Sequence, residues 1–390
     1  MTRARLLAAA AAAALLCPAL DLGAYSVSIA IPVKAPGSGP LFRVQRDGKW
    51  GYFTKTGRMV VPPTFEDAND FIEGLATVQL GGRWGYITDS GRFAIPPAFD
   101  RAWPFKDGLA PVTVDGRAGV IDTSGTFVVA PNFDDVWQFS DGLARASRRR
   151  KWGFIDQTGR WLVEPQFTDV KDFSEGRAAV QVAFKPHVPG TAIQTGDRLW
   201  GFVDTSGTMV VTPQFGAVES FSRGVARAWS DLDHGYGLID LQGRTVRHFD
   251  LREVGEFAEG LAPARGPDGA GFISPTGAFA FVLPAIEMGR FSEGFANVRF
   301  AGGEGYVDAA GRLRIPARFT QAREFTEGLA AVEIGDRWGY IDQAGRLVIT
   351  PQFDYATGFV EGLALVEVEG RWSYVDRTGR IVMADVWNGR

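Results

Sequence analysis

Tryptophan–glycine pairs recur along this chain at a fixed interval, and that interval limits the fold more than any other feature. The glycine slot falls at Gly51, Gly85, Gly119, Gly153, Gly201, Gly237, Gly271, Gly305 and Gly339, mostly 34 residues apart, with intervals of 48 after Gly153 and 36 after Gly201. Tryptophan precedes it at Trp50, Trp84, Trp152, Trp200, Trp338 and Trp372, and Ser373 holds the slot in a tenth copy. A period of this length marks tandem structural units.

One copy shows what the unit is. From Gly74 it reads G-L-A-T-V-Q-L, G-G-R, W-G-Y-I-T, D-S-G, R-F-A-I-P-P. The apolar runs are short, β-branched or aromatic and partly alternating, as strands are. No stretch beyond the N-terminal segment keeps a helical period. The chain is therefore expected to be all-β, with about three short strands per unit. Pro97 to Asp107 and its equivalents serve as irregular connectors. Asp122, Asp156, Asp204, Asp240, Asp308, Asp342 and Asp376 each stand three residues before a glycine, the preference of a type I turn. The glycine of F-x-E-G-L-A, as in Gly74 or Gly362, calls for positive φ or close backbone approach.

A lone hairpin unit cannot bury its apolar face, whereas stacked neighbours can. An open, twisted hairpin solenoid is the favoured arrangement, because propeller blades usually take about 40 residues or more. A closed, propeller-like ring is the alternative.

These units resemble WG repeats, as in Arg337-Trp338-Gly339-Tyr340-Ile341-Asp342 followed by Gly345, Pro351, Phe353 and Phe359-Val360-Glu361-Gly362-Leu363. The resemblance covers residues 41–383. It implies a β-rich bacterial protein and no particular reaction. Copies six to eight depart furthest, with Tyr236, Ala270 and Glu304 in the tryptophan slot, and weaker packing is expected there. The sixth also lacks the proline and reads as shortened near Phe249.

Arg3, Arg5 and the alanine-rich run Leu6 to Leu16 read as a signal peptide over residues 1–24, followed by a linker to residue 40. The protein is expected to be exported, to the periplasm or beyond, with an N-terminal membrane anchor as the alternative. Residues 384–390 read as a tail. The only cysteine, Cys17, lies within the leader, so the mature chain is expected to carry no disulfide. A net charge of −4 argues against a nucleic-acid partner held through phosphates.

No catalytic, cofactor-binding or metal-binding residue emerges. Where the turn aspartates are replaced, by Thr54, Thr88 and Ser274, an acceptor survives but the charge a metal needs does not, which favours turn capping over calcium. A second acidic row (Glu73, Asp107, Asp141, Glu175, Glu259, Glu293, Glu327, Glu361) is too repetitive for catalysis and reads as a solvated ladder offset by arginines. His187, His234 and His248 share no ligand spacing, and Arg148 to Lys151 reads as a solvated basic turn.

The residues that break the repeat are more informative. Trp103 and Trp137 occupy a slot held elsewhere by Asn69, Lys171, Glu219, Arg323 and Thr357, and Trp229 replaces polar residues in another. Exposed tryptophans one unit apart suit stacking on a sugar or gripping a peptide. Trp161 aligns with Met59, Phe93 and Leu347 and is expected in the core. An inserted loop near residues 183–198 is a further recognition candidate. The expected function is an exported, non-catalytic binding or scaffold protein that docks a protein, peptide or glycan in the cell envelope or outside it. A carboxylate-dependent cell-wall glycan hydrolase, or a purely structural surface component, is the alternative.

Overall fold

The computed structural model describes residues 39–183 and 198–387. The inserted segment, residues 184–197, and the leader lie outside them. Each repeat forms one small antiparallel sheet whose strands follow chain order. The second sheet shows the pattern, with strands Asp67–Ala68, Leu75–Leu80, Arg83–Thr88 and Phe93–Phe99. Among the described residues nine sheets have four strands and the first has three.

The fourth strand is one that the sequence did not announce. It comes from the stretch read as a connector: Arg101–Ala102, for instance, pairs with Val112 and Thr113 of the third sheet. It is often only two residues long, and so shows no alternation. In the fourth and eighth sheets it runs unbroken over Asp135–Ser140 and Glu287–Ser292.

The turns follow their residues. Glu73-Gly74 has φ of +51° and +79°, the pair of positive values a type I′ hairpin turn needs, and its equivalents are positive at both residues too. Asp122 Oδ1 accepts the N–H groups of Ser124 (2.9 Å) and Thr126 (3.0 Å) and closes the turn before Gly125, so the aspartate row caps turns. The glycine of the tryptophan–glycine pair has a different cause. Between Trp84↔Phe99 and Tyr86↔Ile95 the outer strand carries extra residues, and this bulge brings Pro96 and Pro97 over Gly85. A Cβ there would stand 2.7 Å from both Ile95 O and Pro97 N.

Burial is organised between sheets. The aromatic that follows the tryptophan–glycine pair in one sheet stacks on the phenylalanine just after the first strand of the next: Tyr52 on Phe71, Tyr86 on Phe105, Phe154 on Phe173 and Tyr340 on Phe359, at 4.7–4.9 Å. The segments that lead from first to second strand also bond directly to one another, with Ser140 Oγ donating to Phe173 O and Ser174 Oγ to Phe221 O, both at 2.8 Å. They lie where neighbours converge, along the inside of the array.

That array closes. Phe42 and Phe53 of the first sheet lie 5.6 and 5.4 Å from Tyr374 of the tenth, and Val44, Phe53, Leu363 and Val386 share one apolar cluster. The closed, propeller-like ring therefore forms, and not the open solenoid. Closure removes the two apolar end faces that an open stack would leave in water. The last strand, Ile381–Trp387, carries the array past Met383 into the stretch read as a tail. The sixth copy is full length in its outer strand, Thr245–Leu251. The shortened one is the seventh, Phe279–Leu283.

Candidate functional site

The repeat fails most clearly at the seventh and eighth sheets, and a groove lies between them. In the seventh, the third strand Gly269–Ile273 carries Ala270 where the consensus has tryptophan, and the five-residue outer strand pairs with it without the usual bulge until Ile273. The position held by Trp103 and Trp137 in other sheets is Gly255 here and Gly289 in the eighth. Of these positions Gly255 lines an open groove of about 770 Å³, with Val254, Pro263, Ile286 and Met288 among its apolar lining. Ile286 is 52% exposed.

Charged groups cross and rim this groove. The Arg265 guanidinium donates to Ile286 O at 2.6 Å and lies 3.5 Å from Glu253, tying one wall to the other. On the eighth sheet Arg299 pairs with Glu287 at 3.0 Å and with Glu304 at 2.6 Å. Glu304 stands in the tryptophan slot and is 5% exposed. Its second oxygen accepts the N–H of Ala322 at 2.7 Å. Burial pushes its carboxyl above the usual range, the Ala322 N–H and Arg299 pull it back, and the charge of Glu287 adds to the rise. Both oxygens are thus engaged.

Glu304 was visible in the sequence as the occupant of the tryptophan slot, yet it signalled only weaker packing there. The missing information was spatial: Glu287 is ordinary in its own row and meets Glu304 only through Arg299.

The three tryptophans singled out by sequence lie elsewhere. Trp137 sits on the first strand of the fourth sheet and Trp103 just after that of the third, and Gln138 Nε2 donates to Pro104 O at 2.9 Å between them. Trp103 is half-buried, and its carbonyl accepts the Tyr86 hydroxyl at 2.8 Å. Trp137 is 42% exposed, and the Arg145 guanidinium lies 4.2 Å from its ring centroid. Asp172 (2.6 Å) and Val170 O (3.0 Å) hold that arginine, so the guanidinium stacked on Trp137 also ties the fourth sheet to the fifth. Trp229 is half-buried, donating from Nε1 to Asp231 at 2.9 Å and packing edge-on against Tyr236 at 5.0 Å.

Of the repeat tryptophans, Trp200 and Trp338 are buried and Trp50, Trp84, Trp152 and Trp372 half-buried. Gly51, Gly153, Gly201 and Gly339 all meet the outer-strand backbone as Gly85 does. Trp161 packs with the core as expected, 5.4 Å from Phe133. The second acidic row does more than face solvent. Glu73 accepts the N–H groups of Asp107 (2.7 Å) and Gly108 (2.9 Å), and Glu175 those of Arg223 and Gly224, so each carboxylate clasps the hairpin turn of the next sheet. Among the described residues no group of three or more His, Cys, Asp or Glu is placed to hold a metal ion.

The model of the WG containing repeat matches the chain at residues 50–84, 84–117, 119–152, 152–183, 200–228, 236–265, 305–338 and 338–372. The stretch between 265 and 305, which supplies one wall of the groove, falls between matches. A solved eukaryotic initiation factor is similar over 90% of this chain and 96% of its own, at 12% identity and a TM-score of 0.49. The dihydro-heme d1 dehydrogenase NirN matches over 70% of this chain and 71% of its own, at 13% identity and a TM-score of 0.35. PorZ of Porphyromonas gingivalis matches over 92% of this chain and 51% of its own, at 12% identity and a TM-score of 0.29. No curated protein matches the sequence.

Proposed function

The chain belongs to the WG-repeat family, and from that premise we propose that it is an exported, non-catalytic docking protein whose ring presents a binding groove to a protein, peptide or glycan of the cell envelope or beyond. The observation that carries this reading is the groove between the seventh and eighth sheets, where the apolar walls of Val254, Pro263, Ile286 and Met288 meet an arginine–carboxylate rim. An apolar cleft with few, fixed polar groups is what a recognition site needs. Trp137, with its face already covered by Arg145, contributes a second contact surface on another part of the ring.

The alternative of a carboxylate-dependent glycan hydrolase has one observation in its favour, the raised carboxyl of Glu304 close to Glu287. Against it, a general acid must present a free oxygen to substrate, and Glu304 is buried with both oxygens bonded. The docking reading is favoured.

Capture from an envelope fraction on immobilised protein tests it. Wild type is expected to retain a partner that Ile286→Arg, which sets a charge on the exposed apolar wall of the groove, does not retain. Trp103→Ala with Trp137→Ala measures the second surface in the same assay. Retention of the same partner by all three proteins would remove the groove and the tryptophans from the binding surface.

A further inference from the structure

Arg323 follows the first strand of the ninth sheet, Gln321–Ala322, and among the described residues no carboxylate stands at ion-pair distance from it. Other arginines of the same region are matched. Arg145, Arg227, Arg265 and Arg299, on second strands, each lie 2.6–3.7 Å from a carboxylate. The guanidinium carbon of Arg323 lies instead 4.9 Å from the ring centroid of Trp338 and 4.6 Å from that of Tyr355 in the tenth sheet. Aromatic faces hold a cation in place without neutralising it. The N–H groups in the plane of the guanidinium still call for an acceptor.

Arg323 lines a cavity of about 350 Å³ that spans the eighth, ninth and tenth sheets, with Gly289, Asn297, Glu324, Thr326 and Gly358 around it. Two glycines keep it open. A Cβ on Gly289 would run into Asn297 Oδ1, and one on Gly358 would stand 2.7 Å from Thr326 Oγ1. The equivalent positions of other sheets carry Trp103, Trp137 and Lys171 in the first case, and Gln138, Asp172 and Glu256 in the second.

Three buried side-chain polar atoms lack a hydrogen-bond partner among the described residues, and two of them, Arg323 Nε and Thr326 Oγ1, belong to residues of this cavity. Such atoms are few in native folds, because each forfeits the bonds it made with water. The charge is unbalanced in the same place. Arg290 and Glu324 cancel through two bonds of 2.8 and 3.0 Å, which leaves the single positive charge of Arg323 over.

We propose that this cavity binds a small hydroxylated carboxylate, the class to which uronic acids belong. The planar fork of a guanidinium matches a carboxylate in shape and charge. One uncompensated cation suits a monoanion, and Glu324 in the same wall opposes the second charge of a phosphate. Asn297 and Thr326 supply uncharged groups for hydroxyls. The volume falls at the low end of small-molecule sites, about 300–1,000 Å³, and so holds one small unit. The cavity shares no lining residue with the groove between the seventh and eighth sheets, so the two sites can be tested independently.

Isothermal titration calorimetry of the full-length protein with D-galacturonate is the test, alongside its methyl ester, trigalacturonate and inorganic phosphate. Saturable binding of galacturonate is expected, with the uncharged ester about tenfold or more weaker. Arg323→Gln should weaken the acid about tenfold or more and abolish its advantage over the ester. Gly358→Ala keeps the charge but sets a carbon against Thr326 Oγ1, and should weaken acid and ester alike. Trigalacturonate binding at least as tightly as the monomer makes the ligand a unit of a polymer, and its exclusion makes the ligand the free acid; either supports the proposal. No saturable binding of galacturonate, equal affinity for acid and ester, tighter binding of phosphate, or indifference to both substitutions overturns it.

Discussion

Gly57 of the first sheet sits so close to Val382 of the tenth that a Cβ on the glycine would stand 2.7 Å from the valine carbonyl oxygen. The same seating joins neighbours in sequence, with Gly125 against Ile95, Gly345 against Ile315 and Gly379 against Ile349. One contact thus serves both for stacking along the chain and for sealing its two ends. Gly57 also has φ of +84°, so two constraints meet there.

Gly57→Ala is expected to cost about 2–4 kcal/mol, combining a left-handed backbone with overpacking at the closing junction. Gly82→Ala has a φ of +73° but no atom within 4 Å of its added methyl, and should cost only about 1–2 kcal/mol. Urea denaturation of both variants checks the difference. Equal losses would mean that the closing contact adds nothing.

Gly85→Ala should cost about 3 kcal/mol or more, because the added carbon meets three outer-strand backbone atoms, Ile95 O, Pro97 N and Pro96 C, at 2.7–2.8 Å. Ser373 is tolerated in the tenth copy, where the outer strand has no proline and turns through Asp385 at φ of +52°. Ser373→Gly is therefore expected to change stability by less than about 1 kcal/mol. Thermal melts of the pair decide whether the bulge or the slot itself sets the requirement.

Acid should unfold the ring through its turns. Hydrogen bonds from the Ser124, Thr158 and Ser206 hydroxyls hold Asp122, Asp156 and Asp204 below the usual carboxylate range. A carboxyl lowered by folding stabilises the protein at pH above its unfolded value, about 3.9, and that contribution is lost as pH falls through the lowered one. The melting temperature is expected to drop steeply below about pH 4. Asp122→Asn should flatten the slope, and an unchanged slope would place the acid sensitivity elsewhere.

Glu304 has the opposite sign. Its carboxyl is raised by burial, so the folded state prefers it protonated, and its cost to stability is fully present above the raised value. As pH falls through that value towards the unfolded one, about 4.3, wild type should gain on Glu304→Gln. Parallel melting curves for the two proteins across this window would contradict the assignment.

How much of this was legible in the sequence can be traced residue by residue. The spacing of Trp84-Gly85 and its copies determined the all-β unit, its length and its number. Asp122 with Gly125 determined a turn, and Gly74 a positive φ, because each requirement is met within a few residues of chain. The short first strands escaped notice, since two paired residues show no alternation. The clasp of Glu73 on Gly108 and the meeting of Glu287 with Glu304 through Arg299 join residues that no local pattern connects.

Ring closure belongs to the tertiary structure alone. Whether ten similar units make an open stack or a circle depends on a small rotation repeated at every junction. No single repeat encodes that sum, and it shows only where the first sheet meets the tenth, as Gly57 meets Val382.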